Sequence, residues 1–135
     1  MLEKVHHVAY IVGDMDRAVK LFGQIFGLPL RRRFQAGAGG NEFAFFELGD
    51  SGTTFELIVP GPTSTHPPVG LEVVELDHVA YAVHCMDEVL AQLRRNGIRF
   101  ETAEPRIAPT GWRVIRTDGT STMGRKIQLV DADYK

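Results

Sequence analysis

Two histidines and two side chains with oxygen donors recur at matching places in the two halves of this sequence. His7 and His78 each begin the sequence His-Val-Ala-Tyr, at an offset of 71 (78 − 7). Glu56 and Gln128 each stand between apolar residues, at an offset of 72 (128 − 56). Imidazoles combined with oxygen donors suit first-row divalent metals, so the pattern predicts a site for Zn²⁺, Ni²⁺, Co²⁺, Mn²⁺ or Fe²⁺. Four such ligands leave coordination positions open for a substrate.

The local pattern places these donors on strands and away from a helix. Side chains two residues apart in a strand share a face. The bulkier Val8 and Tyr10 are expected to pack against the helix, which leaves His7 on the opposite face. Glu56 and Gln128 alternate with apolar neighbours in the same way. Isolated polar residues on a half-exposed sheet are the alternative interpretation, but recurrence at equivalent repeat positions favours the metal site.

Each half begins with a strand rich in Val, Ile and Tyr, and an amphipathic helix and three more strand-like runs follow. The first helix is predicted at Asp16–Phe26, and the second is predicted around its apolar stripe Met86, Val89, Leu90 and Leu93. The later strands are predicted at Leu30–Phe34, Glu42–Leu48, Thr53–Val59, Arg99–Thr102, Trp112–Thr117 and Lys126–Val130. The order β-α-β-β-β, twice, predicts an α+β protein with one domain at 1–135. Module one spans 1–60, a linker rich in Pro and Gly spans 61–71, and module two spans 72–135.

Composition and charge narrow the classes of partner. The chain has 135 residues, of which 44% are hydrophobic and 24% charged, and its formal net charge is -2. This balance gives no reason to expect nucleic acid or a membrane as partner. Cys85 is the single cysteine, so cysteine clusters and internal disulfides are excluded. The first residues lack the order of a signal peptide, and we therefore expect a cytoplasmic protein.

The sequence resembles the vicinal oxygen chelate superfamily, which includes glyoxalase I, methylmalonyl-CoA epimerase, extradiol dioxygenases and bleomycin-resistance proteins. The resemblance covers nearly the whole chain and rests on His7–Val12, Asp16–Leu28, Phe55–Leu57, Asp77–Ala80 and Ser121–Leu129. It implies two βαβββ modules that form an open, barrel-like cup around one divalent metal. The positions that match the family's metal ligands are His7, Glu56, His78 and Gln128.

The resemblance also implies a class of reaction. Closest in pattern are glyoxalase I and the epimerases, which implies a metal-dependent lyase, isomerase or epimerase. Such an enzyme transfers a proton α to a carbonyl through a metal-stabilised enediolate, with Glu56 as ligand and base. A small-molecule-binding or antibiotic-resistance protein is one alternative, and a ring-cleaving dioxygenase is another. The dioxygenase is the weaker alternative because those enzymes carry an acid on the last strand, where this chain has Gln128.

Several further residues are candidates for the substrate or for its neighbourhood. Trp112, Arg113 and Arg125 are predicted to bind the substrate, which is expected to be a small molecule. The run Arg31–Arg33 has two interpretations: it attracts an anionic group of a ligand, or it belongs to an edge strand whose arginines are solvated. The family's epimerases carry a non-ligand Glu just before the third strand, and the only nearby acid here is Glu42. A homodimer is the expected assembly.

An aromatic wall is the feature that would suit a binding or resistance protein. Phe43, Phe45 and Phe46 follow one another in the predicted third strand. They provide such a wall if they face the metal, and strand packing explains them equally well.

Overall fold

The order β-α-β-β-β occurs twice along the chain. The computed structural model describes all residues, Met1–Lys135. Its elements are β1 (Lys4–Val12), α1 (Met15–Val19), β2 (Leu30–Gln35), β3 (Glu42–Glu47), β4 (Thr54–Val59), β5 (Val74–Val83), α2 (Met86–Arg95), β6 (Arg106–Ile107), β7 (Arg113–Arg116) and β8 (Gln128–Asp131). The predicted α+β class with two βαβββ modules is confirmed.

The chain divides into two units, His7–Asp77 and Met1–His6 together with His78–Lys135. In the first unit the strand order is β2-β3-β4-β1, with β1 and β4 parallel and the other pairs antiparallel. One face of this sheet packs on α1 through a buried apolar cluster. The cluster consists of Val12, Met15, Ala18, Ala44, Phe46, Phe55 and Leu57.

The first helix changes type along its length. The Asp14 side chain caps its start by accepting a hydrogen bond from the backbone N–H of Arg17 at 3.2 Å. After Val19 the chain continues as a π-helical segment, Lys20–Ile25. The sequence predicted one regular helix over Asp16–Phe26, so the helical span is confirmed and its second half is wound more widely than predicted.

The second unit repeats the arrangement with the strand order β5-β8-β7-β6. Strands β5 and β8 are parallel, and β8-β7 and β7-β6 are antiparallel. One sheet face packs on α2 through the buried side chains Val83, Met86, Leu90, Ile115 and Leu129. The two units therefore use one plan, in which a helix covers one face of a four-stranded sheet.

The strand predicted at Arg99–Thr102 is wrong. Phe100 makes only an isolated bridge with Thr117, and the outer strand forms later, at Arg106–Ile107. The Thr102 hydroxyl donates a hydrogen bond to the Glu104 carbonyl at 2.8 Å. This local turn diverts the chain before a ladder can form, because Thr side chains compete with strand pairing for backbone groups.

The predicted linker is packed onto the first unit. The Gly61 N–H donates to the Asn41 side-chain oxygen at 3.1 Å, and the Gly13 N–H donates to the Val73 carbonyl at 3.3 Å. The backbone at Gly70 passes so close to Gly13 that a Cβ on Gly13 would overlap the Gly70 carbonyl. The segment is therefore fixed to the first unit at its two ends, beside Asn41 and beside Gly13. No helix of the chain is long and apolar enough to cross a membrane.

The close approach of these two glycines gives a stability prediction. We expect Gly13→Ala to lower the free energy of unfolding by about 2 kcal/mol, because the added methyl group forces two backbone segments apart. Gly70→Ala is the matched control, since its Cβ would meet only the Val73 side chain at an ordinary 3.5 Å. Urea unfolding of both variants measures the difference. Equal stability of the two variants would show that the connection is not held at Gly13.

Candidate metal centre

His7 and Glu56 lie together on the face of the first sheet that points away from α1. In the parallel pair of β1 and β4, Ala9 is the neighbour of Glu56, and His7 is two residues earlier on the same face. The helix-facing residues of these strands, such as Val12 and Leu57, have the opposite parity. His7 is 2% exposed and Glu56 is 3% exposed. Strand alternation thus places both donors where the sequence pattern predicted.

The Glu56 carboxyl is buried without adequate hydrogen bonding. Its Oε2 atom has no hydrogen-bond partner and lies 3.5 Å from His7 Nε2. Burial raises the pKa of the Glu56 carboxyl to about 8, and the negative charge of Asp77 adds to the effect. A buried acceptor without a donor costs about 1–3 kcal/mol. A divalent cation would relieve this cost, so the residues present fit a metal ion.

The second unit presents an equivalent pair of donors. Gln128 on β8 is the neighbour of Ala80 on the parallel strand β5, and His78 is two residues before Ala80. Gln128 is buried, and His78 is half-buried. The register of Ala80 with Gln128 repeats that of Ala9 with Glu56. The repeat seen in the sequence is therefore also a repeat of strand register.

Each unit offers one imidazole and one oxygen donor, which is the Glu56 carboxylate in the first unit and the Gln128 amide in the second. Each pair lies on the face opposite the helix of its own unit. Oxygen donors of these types suit Mn²⁺ or Fe²⁺, and imidazoles suit Zn²⁺, Co²⁺ or Ni²⁺. The donor chemistry of each pair therefore fits a first-row divalent metal.

Arg113, a predicted substrate-binding residue, is engaged elsewhere. Its guanidinium donates to Asp131 at 2.7 Å and to Asp87 at 3.1 Å. Asp87 belongs to α2, so this pair of ion pairs ties β7 and β8 to the helix. By strand parity Arg113 lies on the face opposite Gln128. We therefore leave Arg113 out of the proposed substrate site.

The other two predicted substrate residues have different surroundings. Trp112 packs with Ala80 and Val130 on the face that carries Gln128, and its ring meets the edge of the His6 ring at a centroid distance of 4.7 Å. This position is compatible with lining a substrate site. Arg125 is exposed in the turn that precedes β8.

Two other residues turn away from the Glu56 face. Glu42 pairs with Val59 at the end of the sheet and binds the Arg33 guanidinium at 2.9 Å, on the helix side. It therefore does not supply an acid beside Glu56. Phe46 packs in the core under α1, so for this residue the alternative of strand packing is confirmed and the aromatic wall is excluded.

Sequence reasoning also missed an aromatic residue on the Glu56 face. Phe34 on β2 pairs with Phe43 on β3, and their rings stack at a centroid distance of 5.2 Å. The Phe34 ring also lies 5.7 Å from the ring of Phe45, which is the strand neighbour of Glu56. No sequence signal places Phe34 on this face, because the bulge between Leu30 and Arg32 sets the parity of β2.

Comparisons with known proteins agree with this architecture. A sequence model described as Glyoxalase/Bleomycin resistance protein/Dioxygenase superfamily matches residues 6–115. A solved methylmalonyl-CoA epimerase is 25% identical, with a TM-score of 0.80 over 97% of this chain and 94% of that chain. The Mycobacterium tuberculosis methylmalonyl-CoA epimerase is 20% identical, with a TM-score of 0.78 over 94% of this chain and 86% of that chain.

A third similar structure contains a bound ligand. It is the Streptomyces coelicolor methylmalonyl-CoA epimerase in complex with 2-nitronate-propionyl-CoA, which is 18% identical, with a TM-score of 0.78 over 98% of this chain and 99% of that chain. No curated protein matches the sequence. These likenesses show that the chain has the fold of these enzymes.

Because the Glu56 carboxyl is buried, we expect its replacement to raise the thermal stability of the metal-free protein. In metal-free protein at neutral pH, we expect Glu56→Gln to raise the midpoint of thermal unfolding by about 4 °C, because a carboxyl group whose pKa is raised to about 8 must take up a proton when the chain folds, whereas an amide does not. Thermal unfolding in the presence of a chelator measures the change. Glu47→Gln on the neighbouring strand is the control, since the Glu47 side chain is 47% exposed and its ion pair with Arg31 lies at the surface, where such a pair contributes less than about 1 kcal/mol. A destabilised Glu56→Gln would contradict the inference.

Proposed function

Because the chain belongs to the glyoxalase, bleomycin resistance protein and dioxygenase superfamily, we propose that it is a divalent-metal-dependent isomerase or epimerase that transfers a proton α to a carbonyl. The observation that carries this proposal is the buried oxygen of Glu56, which lacks a hydrogen-bond partner and lies beside His7. The enzymes among the similar solved structures support the choice of reaction class.

We take the metal ligands to be His7, Glu56, His78 and Gln128. With neutral imidazoles and a neutral amide, Glu56 is the only anionic ligand, so a divalent ion keeps a formal charge of about +1 at the site. A metal with this residual charge, when bound, polarises a carbonyl and stabilises the negative charge that develops on its oxygen. The repeated strand register supports using one donor pair from each unit.

Glu56 is also the best candidate for the group that moves the proton. The Gln128 amide cannot accept a proton near neutral pH, and the imidazoles are committed if they bind the metal. Glu56 has two carboxylate oxygens, so one would hold a bound metal while the other would accept the proton. Its burial keeps water away from the transferred proton.

A second candidate function is the sequestration of a small molecule without turnover. The aromatic residues Phe34, Phe43 and Phe45 on the Glu56 face support it, because flat aromatic surfaces bind planar ligands. The two functions differ in their need for the metal. A binding protein keeps its ligand affinity after chelation, whereas the proposed enzyme loses turnover.

The metal assignment predicts a stoichiometry. After chelation and reloading with Co²⁺, we expect one ion per chain, with an absorption spectrum that shows nitrogen and oxygen ligands. His7→Gln and His78→Gln should each weaken Co²⁺ binding about tenfold or more, because each removes one ligand. His84→Gln is the control, since His84 is exposed and binds Asp133. Unchanged binding in both ligand variants would exclude the proposed site.

The reaction class predicts exchange of a substrate proton with solvent. In D₂O the metal-loaded enzyme should replace the α proton of its substrate with deuterium, and proton NMR of a panel of acyl thioesters and α-hydroxy ketones detects the loss. We expect Glu56→Gln to reduce this exchange by at least about 100-fold, since it removes the base. Glu47→Gln should retain it. Metal binding without any exchange across the panel would favour the binding protein.

A further inference from the structure

The consecutive arginines in β2 do not share one environment. The Arg31 guanidinium lies 2.6 Å from the carboxylate of Glu47. The Arg33 guanidinium lies 2.8 Å from Asp16 and 2.9 Å from Glu42. These two arginines are neutralised by carboxylates of their own unit, which explains them as structural charges of an outer strand.

Arg32, between them, has no acidic partner in the structure. Its guanidinium carbon lies 4.0 Å above the centre of the Phe34 ring. At this distance the ring face attracts the cation, and the N–H donors of the guanidinium remain available for an anion. Phe34 in turn packs on Phe43 and Phe45. The cation thus has a firm aromatic support, which lowers the entropy lost when it captures an anion.

A β-bulge decides which face of the sheet Arg32 occupies. Leu30 pairs with Phe46 on the α1 side, and the register then shifts so that Arg32 pairs with Phe45. Regular alternation would have paired Arg31 with Phe45 and turned Arg32 towards α1. Bulges beside functional sites commonly redirect a side chain in this way. The extra residue in β2 therefore brings an unpaired cation to the Glu56 face.

Arg32 and Glu56 belong to one row of side chains across three strands. Arg32 pairs with Phe45, and Phe45 pairs with Glu56. Since neighbouring strands are about 4.8 Å apart, the Cα atoms of Arg32 and Glu56 are about 10 Å apart. The two ends of one small molecule can engage these groups, with Phe45 under its middle.

We propose that Arg32 binds a carboxylate of the substrate and thereby sets the substrate class. The substrate is a carbonyl compound with a carboxylate at its far end, about two strand spacings from the reacting carbonyl. This assignment rests on the proposed function, because it takes the reacting carbonyl to lie at Glu56. A carboxylate matches a single guanidinium in charge and in bidentate geometry, whereas a phosphate monoester carries almost twice that charge.

Two hydroxamate probes test the assignment through binding alone. Benzohydroxamate chelates metals through vicinal oxygens, and 4-carboxybenzohydroxamate adds a carboxylate at the far end of the ring. Titration of each into the Co²⁺-loaded full chain, followed by Co²⁺ absorption, gives its affinity. We expect the wild type to bind the carboxylated probe roughly tenfold more tightly, as a charge-assisted pair allows. Arg32→Gln should lose this preference and keep its affinity for benzohydroxamate.

Arg31→Gln is the matched control. It removes the same formal charge from the adjacent residue, so it reports any effect of net charge alone, and it should retain the preference. Arg32→Lys should keep part of the preference because it keeps the charge and loses the bidentate geometry. Unchanged thermal unfolding of Arg32→Gln is expected because Arg32 is exposed.

The outcomes separate this assignment from the proposed function. Equal affinity of the wild type for both probes, or a preference that survives Arg32→Gln, overturns the role of Arg32 and leaves the metal site intact. A Co²⁺ spectrum that neither probe perturbs overturns the proposed metal site and the role of Arg32 with it. Tighter binding of 4-phosphonobenzohydroxamate than of the carboxylated probe overturns the choice of a carboxylate.

Discussion

The Glu56 carboxyl group needs a cation in the place where the fold holds it. It is buried on a sheet face, one of its oxygens has no hydrogen-bond partner, and the His7 imidazole lies 3.5 Å away. Burying such a group lowers stability unless it is compensated. The protein therefore gives up some stability here, as functional sites commonly do. The parallel pairing of β1 with β4 makes this placement obligatory, since it sets Glu56 next to Ala9 and close to His7.

Duplication supplied the same geometry a second time with a different donor. The second unit pairs Ala80 with Gln128, where the first pairs Ala9 with Glu56. An amide matches a carboxylate in shape and brings neither charge nor a site for a proton. In the proposed metal site, Glu56 therefore supplies a charged donor and Gln128 a neutral one. Of these two groups only Glu56 is able to act as a base. The difference between the halves is therefore chemical rather than architectural.

In each unit the two faces of the sheet have different tasks. The helix-side face holds an apolar core, and ion pairs such as Arg113 with Asp87 and Arg33 with Asp16 connect strands to helices. The opposite face carries the proposed metal donors and, in the first unit, three phenylalanines whose rings contact one another. Whether an arginine is structural or available for a ligand therefore follows from the sheet face on which it lies and from whether a carboxylate of the chain pairs with it. By this criterion Arg33 and Arg113 are structural, and Arg32 is available for a ligand.

The sequence by itself determined the repeat, the α+β class and the faces of His7 and Glu56, because strand alternation is a local property of period two. Only the tertiary structure decided which arginines are neutralised, since Arg113 meets Asp87 from a distant element. It also decided the face of Arg32, because a bulge adds one residue and inverts the parity that a sequence pattern assumes. The Pro and Gly content of 61–71 predicts a linker, yet the backbone around Gly70 and Val73 packs against Gly13. Two backbone segments can approach this closely only where a glycine leaves out the Cβ atom. Hydrophobic periodicity carries no information about such a contact.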